Sequence, residues 1–328
     1  GSHQDSVRNG GMFDGIMGVL LPVLALRELR DVALPFSVEV LAFADEEGVR
    51  FPTALIGPRA LAGTFDPASL DLRDGNGVSI RQAMTDFGLD PDAITELDRR
   101  NRAIIGYVET HIEQGPVLEA GDQPVGLVTS ICGIERHLLG LSGRPGHAGT
   151  VPMAHRADAL AGAAEMIVAV ERFARDTEDV IATIGQIAVT PNAVNVIPGA
   201  VEFSLEVRSP ADGLRREAAD RIIGICTEVA VGRGLDLASD FTYEQAAQPC
   251  DDNLLTELKA AAHAVHGEVP MMPSGATHDA SAMSELCPMA MLFVRCRQGI
   301  SHTPEEFAEE ADMQVAVDSL VNFIKLLK

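Results

Sequence analysis

The sequence predicts an α/β protein with a mainly parallel sheet, into which a smaller ferredoxin-like α+β domain is inserted. Short apolar runs typical of buried strands alternate with segments of helical periodicity through most of the chain. Between residues 132 and 246 the order changes to βαββαβ, with its helices expected on one face. We therefore assign residues 1–131 and 247–328 to the larger domain and residues 132–246 to the inserted domain.

Elements of the larger domain follow from apolar spacing on both sides of the insertion. Leucine-rich helical spacing predicts the first helix, with Pro22 as a kink or in an early turn, and residues 51–92 are expected to form loops and short helices. Helices are predicted at 15–30, 253–265 and 313–328, strands at 36–44, 103–108, 125–131 and 289–294, and a loop at 271–280.

The inserted domain carries the clearest strand of the chain, residues 200–208. From Val201 to Arg208 its apolar and polar residues alternate, as in an antiparallel strand with one buried face. Around it the sequence predicts strands at 136–142, 180–189 and 235–243, helices at 156–174 and 214–232, and a turn-rich link at 192–199.

Composition limits the function classes that are open to the chain. Its 328 residues are 46% hydrophobic, enough for a substantial core. A formal net charge of −23 argues against nucleic acid and anionic membranes, whose phosphates would repel it. The five cysteines are widely spaced, so we expect reduced thiols in a cytoplasmic protein. No apolar run is long enough for a membrane span, and we expect no signal peptide.

Histidines and carboxylates recur at or just after the apolar strand runs of the larger domain. Ligands of open α/β sheets bind beyond the carboxyl ends of strands. Imidazole and carboxylate groups suit Zn or another divalent ion, and one carboxylate is left over, as a hydrolytic site needs. His3 and Asp5 have strand spacing, so Asp5 could fix the tautomer of the His3 ring. The residues are His3, Asp14, Glu46, Glu47, His111 and His302.

Each signal also has a plainer interpretation. The H-x-D motif of His3 is weak by itself, and the acidic run before Gly48 is also typical of a solvated turn. His111 could be a structural histidine. Arg208 lies on the polar face of its strand, where it could clamp a carboxylate or merely form a surface ion pair with Glu206 or Glu202. His147 could be an ordinary loop residue.

Seven motifs together resemble the hydantoinase/carbamoylase-type amidases of the binuclear-metal, M20-like peptidase clan. They run in order through the chain as GSHQDSVRNGG-x-FDG, FADEEGVRF, YVETHIEQGPVLE, GHAGTVPM, PNAVNVIPG, SGATHDA and GISHTPEE. The resemblance implies a metallopeptidase-like catalytic domain and an inserted domain that serves as dimerisation or lid domain. Family members normally carry a further N-terminal segment, so we expect part of the catalytic domain to be missing. Thr277 stands where the family usually has glycine.

The resemblance also implies roles for individual residues. Two divalent ions per chain are implied, with Zn favoured over Mn, Co or Ni: His3 and Glu47 would be terminal ligands of different ions, Asp14 would bridge them, and His111 and His302 would complete one ion each. Glu46 would be the general base, Asp5 would orient His3, and His147 would stabilise the oxyanion in the partner subunit's site. The implied substrate-binding residues are Arg136, Asn195, Arg208, Gln114, Ser274, Gly275 and Ala276.

The activity implied is hydrolysis of a ureido (carbamoyl) C–N bond in a small carboxylate by a homodimer. We favour allantoate, because residues 51–68 and the phrase LFVRCRQGISH look most like allantoate amidohydrolases. The alternative is an N-carbamoyl-L-amino-acid hydrolase or a β-ureidopropionase. More distant alternatives are an aminoacylase or dipeptidase, or a family member without catalytic activity.

Overall fold

The computed structural model describes residues 1–327, which divide into two compact units. The larger unit comprises Gly1–Ile131 and the chain from Pro249 onward, and the smaller unit comprises Cys132–Gln248. The helices are α1 (Ile16–Glu28), α2 (Ile56–Ala62), α3 (Ile80–Phe87), α4 (Val117–Ala120), α5 (Ala159–Arg175), α6 (Asp212–Arg233), α7 (Asp252–His266), α8 (Asp279–Met283) and α9 (Glu310–Leu326). The strands are β1 (Ser2–His3), β2 (Ala42–Phe43), β3 (Tyr107–Ile112), β4 (Val125–Ile131), β5 (Gly133–Ser142), β6 (Gly146–His147), β7 (Ile181–Thr183), β8 (Ile187–Thr190), β9 (Val196–Ile197), β10 (Ala200–Ser209), β11 (Asp236–Gln245), β12 (Gln248–Pro249), β13 (Met271–Ser274) and β14 (Met289–Val294).

The core of the larger unit is a mixed sheet, which confirms the α/β class but not a mainly parallel sheet. β14 is the predicted strand, buried at every residue because it lies between β3 and β4. It runs parallel to β3 and antiparallel to β4, while β13 is parallel to β4. Apolar residues of α1, α7 and α9 belong to the same hydrophobic core as this sheet.

Three predicted boundaries in this unit are wrong, and strand pairing explains each difference. The strand expected at 36–44 is only β2, because β1 offers it two parallel partner residues. The strand expected at 103–108 is β3, which pairs with β14 along its whole length and therefore contains His111 instead of preceding it. The loop expected at 271–280 begins as β13, paired with β4.

The smaller unit is an antiparallel sheet with α5 and α6 packed on one face. Its strand order is β11-β5-β10, and both β7 and β8 pair with β10, so the run predicted at 180–189 is split in two. The alternation of β10 is confirmed, because Val201, Phe203, Leu205 and Val207 are buried in a core shared with both helices. Its polar residues therefore face away from the helices.

Two expectations from composition can be compared with the structure. All five cysteines are free thiols, and four of them are buried. Burial raises the pKa of the Cys226 thiol to about 11, which makes it a poor nucleophile. Within residues 1–327, no helix combines the length and the apolar character that a membrane span requires.

Candidate metal centre

Histidine and carboxylate side chains converge in the larger unit from loops and strands far apart in sequence. His3 ends β1, Glu46 and Glu47 follow β2, and His111 lies in β3. Three groups bring one ligand atom per residue within 4.8 Å of the others: His3, Asp14 and His111; Asp14, Glu47 and His302; and His3, Glu46 and Glu47. The six predicted metal-competent residues are therefore gathered in one place.

Asp14 is the member shared by the first two groups. Its Oδ1 lies 3.2 Å from Nε2 of His111 and 3.8 Å from Nε2 of His3, whereas its Oδ2 lies 3.3 Å from Nε2 of His302. Both oxygens are buried and accept no hydrogen bond within the described residues. Because an unpaired buried carboxylate is costly, this arrangement fits a carboxylate that bridges two cations.

The two buried histidines are oriented by main-chain carbonyls. Nδ1 of His3 lies 2.9 Å from the carbonyl oxygen of Asp5, and Nδ1 of His111 lies 2.9 Å from that of Ile112. A carbonyl only accepts, so Nδ1 carries the proton in each neutral ring and the lone pair of Nε2 faces Asp14. In that neutral tautomer, each ring can bind a metal through Nε2.

Asp5 acts through a different group from the one expected. Its carboxylate Oδ1 is 3.9 Å from Nδ1 of His3, farther away than its own carbonyl oxygen. The carboxylate instead accepts hydrogen bonds from the main-chain amides of Glu46 at 3.3 Å and Glu47 at 3.2 Å. Asp5 thus positions both the His3 ring and the acidic turn after β2.

The backbone around the centre adopts conformations that are uncommon for residues with side chains. Asp45 has φ 58°, Gln114 has φ 57° and His302 has φ 61°, all in the left-handed region. Gly15, at φ 61°, approaches the His3 ring so closely that a Cβ would lie 2.3 Å from it. Such conformations cluster at functional sites, where the surrounding structure enforces them.

Crowded carboxylates give the cluster a strong preference for positive charge. Burial and the charge of Glu47 raise the pKa of Glu46 to about 9, and burial and Asp14 raise the pKa of Glu47 to about 8. Burial alone would lower the pKa of His111, but Asp14 raises it to about 9. All three shifts favour the more positively charged form of the group, which is consistent with a site that attracts cations.

Other predicted residues of the larger unit lie beside this cluster. The side-chain amide of Gln114 donates to Oγ of Ser301 at 3.1 Å and lies 3.2 Å from Nε2 of His302. In the loop of Ser274, Gly275 and Ala276, Oγ of Ser274 lies 2.7 Å from Nε2 of His278. The His278 ring packs edge-on against His111, with their centroids 4.6 Å apart.

In the smaller unit, two predicted substrate residues share one carboxylate. Nε of Arg136 donates to Oε2 of Glu206 at 2.6 Å, and Nε of Arg208 donates to Oε1 at 2.7 Å. Partial burial would raise the pKa of Glu206, but the two arginines hold it below its usual value. These three residues, which we call the arginine face, lie on the side of the sheet away from the helices.

His147 and Asn195 also lie close together in the smaller unit. His147 is in β6, which pairs with β9, and the amide of Ala148 donates to the carbonyl oxygen of Asn195 at 3.0 Å. Nδ1 of His147 accepts a hydrogen bond from the amide of Gly149 at 3.1 Å. A neutral His147 ring therefore carries its proton on Nε2, from which it can donate to an oxyanion.

Sequence reasoning missed two buried residues of the centre, Glu306 and His278. Glu306 accepts hydrogen bonds from the main chain beside Asp14 and His302, and His278 supports His111. No spacing or periodicity identifies either residue. In the case of Glu306, the preceding Glu305 is equally acidic, so the sequence does not distinguish the two. Their contacts depend on segments brought together only by the fold.

Comparison with known proteins points to one family. The model of peptidase family M20/M25/M40 matches residues 1–326. The chain is 38% identical over 326 residues to an N-carbamoyl-L-amino acid amidohydrolase of Geobacillus stearothermophilus, covering 99% of this chain and 80% of that protein. It is 36% identical over 367 residues to allantoate deiminase 2 of Glycine max, covering 100% and 74%. A hydantoinase/carbamoylase family amidase from Burkholderia multivorans superposes with a TM-score of 0.88 at 31% identity, covering 99% and 79%.

Proposed function

The chain belongs to peptidase family M20/M25/M40, and from that membership we propose a metal-dependent amidohydrolase that cleaves a ureido C–N bond of a small carboxylate. We favour allantoate as the substrate and keep an N-carbamoyl-L-amino acid as the alternative. The observation that carries the proposal is the convergence of His3, His111 and His302 on the two unpaired oxygens of Asp14. Relatives named for each of these two activities match the chain to a similar extent, at 38% and 36% identity.

We propose that the centre holds two divalent ions, with Zn favoured and Mn, Co or Ni as alternatives. His3, Asp14 and His111 would hold one ion, and Asp14, Glu47 and His302 the other. Ions held there would polarise the ureido carbonyl and lower the pKa of water. Imidazole and carboxylate donors, together with the orphaned oxygens of Asp14, support this assignment.

The remaining residues of the centre would move the protons. Glu46 is almost fully buried and belongs to a group with His3 and Glu47, so it lies beside the ligands without being needed by either ion. As general base it would take a proton from the attacking water and deliver it to the leaving nitrogen. The products are ammonia, carbon dioxide and an amine.

The smaller unit would bind the substrate and complete the site. Arg136 and Arg208 present guanidinium groups suited to bidentate contact with the substrate's carboxylate, and Asn195 adds an amide. His147 would donate from Nε2 to the developing oxyanion in the site of the other chain. We accordingly propose a cytoplasmic homodimer formed through this unit, which would also serve as a lid.

A substrate panel tests the proposal. The purified protein, loaded separately with Zn, Mn, Co or Ni, is given allantoate, N-carbamoyl-L-amino acids and dipeptides, and ammonia and amino acids are measured. We expect ammonia from allantoate at the highest kcat/KM. Faster release from N-carbamoyl-L-amino acids would establish the alternative, and amino-acid release from dipeptides alone would contradict a ureido hydrolase.

A further inference from the structure

We propose that Glu306 is a positioning residue that sets the relative placement of Asp14 and His302, an inference that rests on the proposed metal centre. Its side chain is 3% exposed and lies between two ligand-bearing loops. Oε1 accepts hydrogen bonds from the main-chain amides of Phe13 at 2.9 Å and Asp14 at 2.8 Å. Oε2 accepts from Oγ of Ser301 at 2.9 Å and from the amide of His302 at 3.3 Å.

The two oxygens of the Glu306 carboxylate bind different loops, and this explains how one side chain can position both Asp14 and His302. Each oxygen serves one loop, and the two loops lie almost at opposite ends of the chain. The spacing between the main chain of Asp14 and that of His302 is therefore tied to the fixed geometry of one carboxylate. Four hydrogen bonds, 2.8 to 3.3 Å long, hold the two loops to this one side chain.

Two neighbouring features require such a link. His302 has φ 61°, a conformation that persists only where its surroundings hold it, and Glu306 binds its amide directly. Gly11 packs against Glu306 so closely that a Cβ there would lie 2.3 Å from the Cβ of Glu306, which leaves the carboxylate little room to shift. Ser301 extends the network to Gln114.

A purely structural role predicts a different outcome from a positioning role. If Glu306 only stabilised the two loops, its loss would lower the melting temperature without changing metal affinity in the folded protein. If it positions the ligands, metal affinity falls even where the protein stays folded, because removing partners that orient metal ligands typically costs about 10–100-fold in affinity.

The test compares Glu306→Gln with Glu305→Gln in the full chain. Both variants remove one negative charge, but Glu305 is exposed, and a glutamine at 306 would direct its NH2 group at main-chain amides that need an acceptor. Zn²⁺ affinity is measured by competition with a chromophoric chelator, and hydrogen exchange is followed in peptides covering residues 11–18 and 299–306. We expect Glu306→Gln to bind Zn²⁺ about 10–100-fold more weakly and to exchange faster in both peptides, with Glu305→Gln unchanged.

A second variant keeps the test decisive if Glu306→Gln does not fold. Ser301→Ala removes one of the four hydrogen bonds, and we expect affinity to fall by about two- to tenfold. If folded Glu306→Gln binds Zn²⁺ as tightly as the wild-type protein, the inference is wrong. If Glu306→Gln does not fold, wild-type Zn²⁺ affinity in Ser301→Ala overturns the inference instead. Absence of Zn²⁺ binding by the wild-type protein would instead overturn the proposed metal centre, and this inference with it.

Discussion

The metal centre and the arginine face differ in how their charged side chains are partnered. In the metal centre, Asp14 is buried among three histidines and the further carboxylate of Glu47, and neither of its oxygens accepts a hydrogen bond within the described residues. On the arginine face, Arg136 and Arg208 are partly exposed and already paired with Glu206. The first arrangement gathers more carboxylates than arginine or lysine partners and is suited to hold a cation, whereas the second already has an ion-pair partner, which the proposed substrate carboxylate would replace.

The difference teaches which residues are preorganised and which must exchange partners. The candidate metal-binding side chains are held by main-chain hydrogen bonds and uncommon backbone angles. They are therefore in position before a metal ion binds. If the arginines bind the substrate's carboxylate as proposed, they must leave Glu206, or share it, when the substrate binds. Mutations in the two regions should therefore affect different steps, metal retention and chemistry in one and substrate affinity in the other.

The largest effect is expected within the metal centre, where adjacent glutamates should separate chemistry from metal binding. Glu46→Gln should keep its metal and lose about 10²–10⁴-fold in kcat, the usual contribution of a positioned acid or base. Glu47→Gln should lose metal, because Glu47 belongs to the group with Asp14 and His302. Metal content by mass spectrometry and steady-state kinetics measure both. Equal metal loss in the two variants would contradict this division.

Mixing two inactive variants tests whether the two regions act across subunits. Glu46→Gln and His147→Ala, unfolded and refolded together in equal amounts, should regain roughly a quarter of wild-type activity, since half of the dimers are mixed and each has one intact site. The separately refolded variants are the control. A mixture that stays inactive, despite mixed dimers detected with differently tagged chains, would rule out a shared site.

On the arginine face, Arg208→Lys should raise KM for the carboxylate substrate by roughly ten- to a hundredfold. Lysine cannot reproduce bidentate contact, and a hydrogen bond to a charged group is worth about 1.5–3 kcal/mol. The amide analogue of the substrate, which lacks the carboxylate, serves as the control and should change little. Equal losses for acid and amide would make Arg208 a structural residue.

The smallest effect should come from Glu206→Gln, which removes the competitor of the substrate carboxylate. Exposed ion pairs contribute about 0.2–1 kcal/mol, so KM should fall by no more than about fivefold, with kcat unchanged. Glu202→Gln removes the same charge from the same face of β10 and should leave KM as it is. A rise in KM for Glu206→Gln would mean that Glu206 positions the arginines and is not displaced.

The sequence predicts elements well where the signal is local. Residues 289–294 form a strand because six consecutive apolar residues suit a position between two neighbours, and the alternation of β10 directly gives its buried face. Residues 36–44 show where such reasoning stops, because pairing with a two-residue β1 limits the strand to β2. The strand-forming propensity of a segment can be estimated from that segment alone, but the strand with which it pairs cannot.

The candidate site shows the same limit. His3, Asp14 and His302 could be singled out because their residue types and motifs carry chemistry. Glu306 could not, because its role depends on main-chain amides 292 residues away. The role of Asp5 was predicted for its carboxylate, yet its carbonyl oxygen lies closer to the His3 ring, a distinction that only main-chain geometry provides.

The left-handed conformations of Gln114 and His302 have a consequence for protein engineering. Residues held in such conformations cost about 1–3 kcal/mol each, and glycine would relieve most of that cost. A selection that rewards thermal tolerance alone would therefore favour glycine at position 114 and discard the amide beside His302. Directed evolution of this enzyme for heat resistance should accordingly hold both positions constant and seek its gains at exposed positions of α5 and α6, helices that contain none of the proposed site residues.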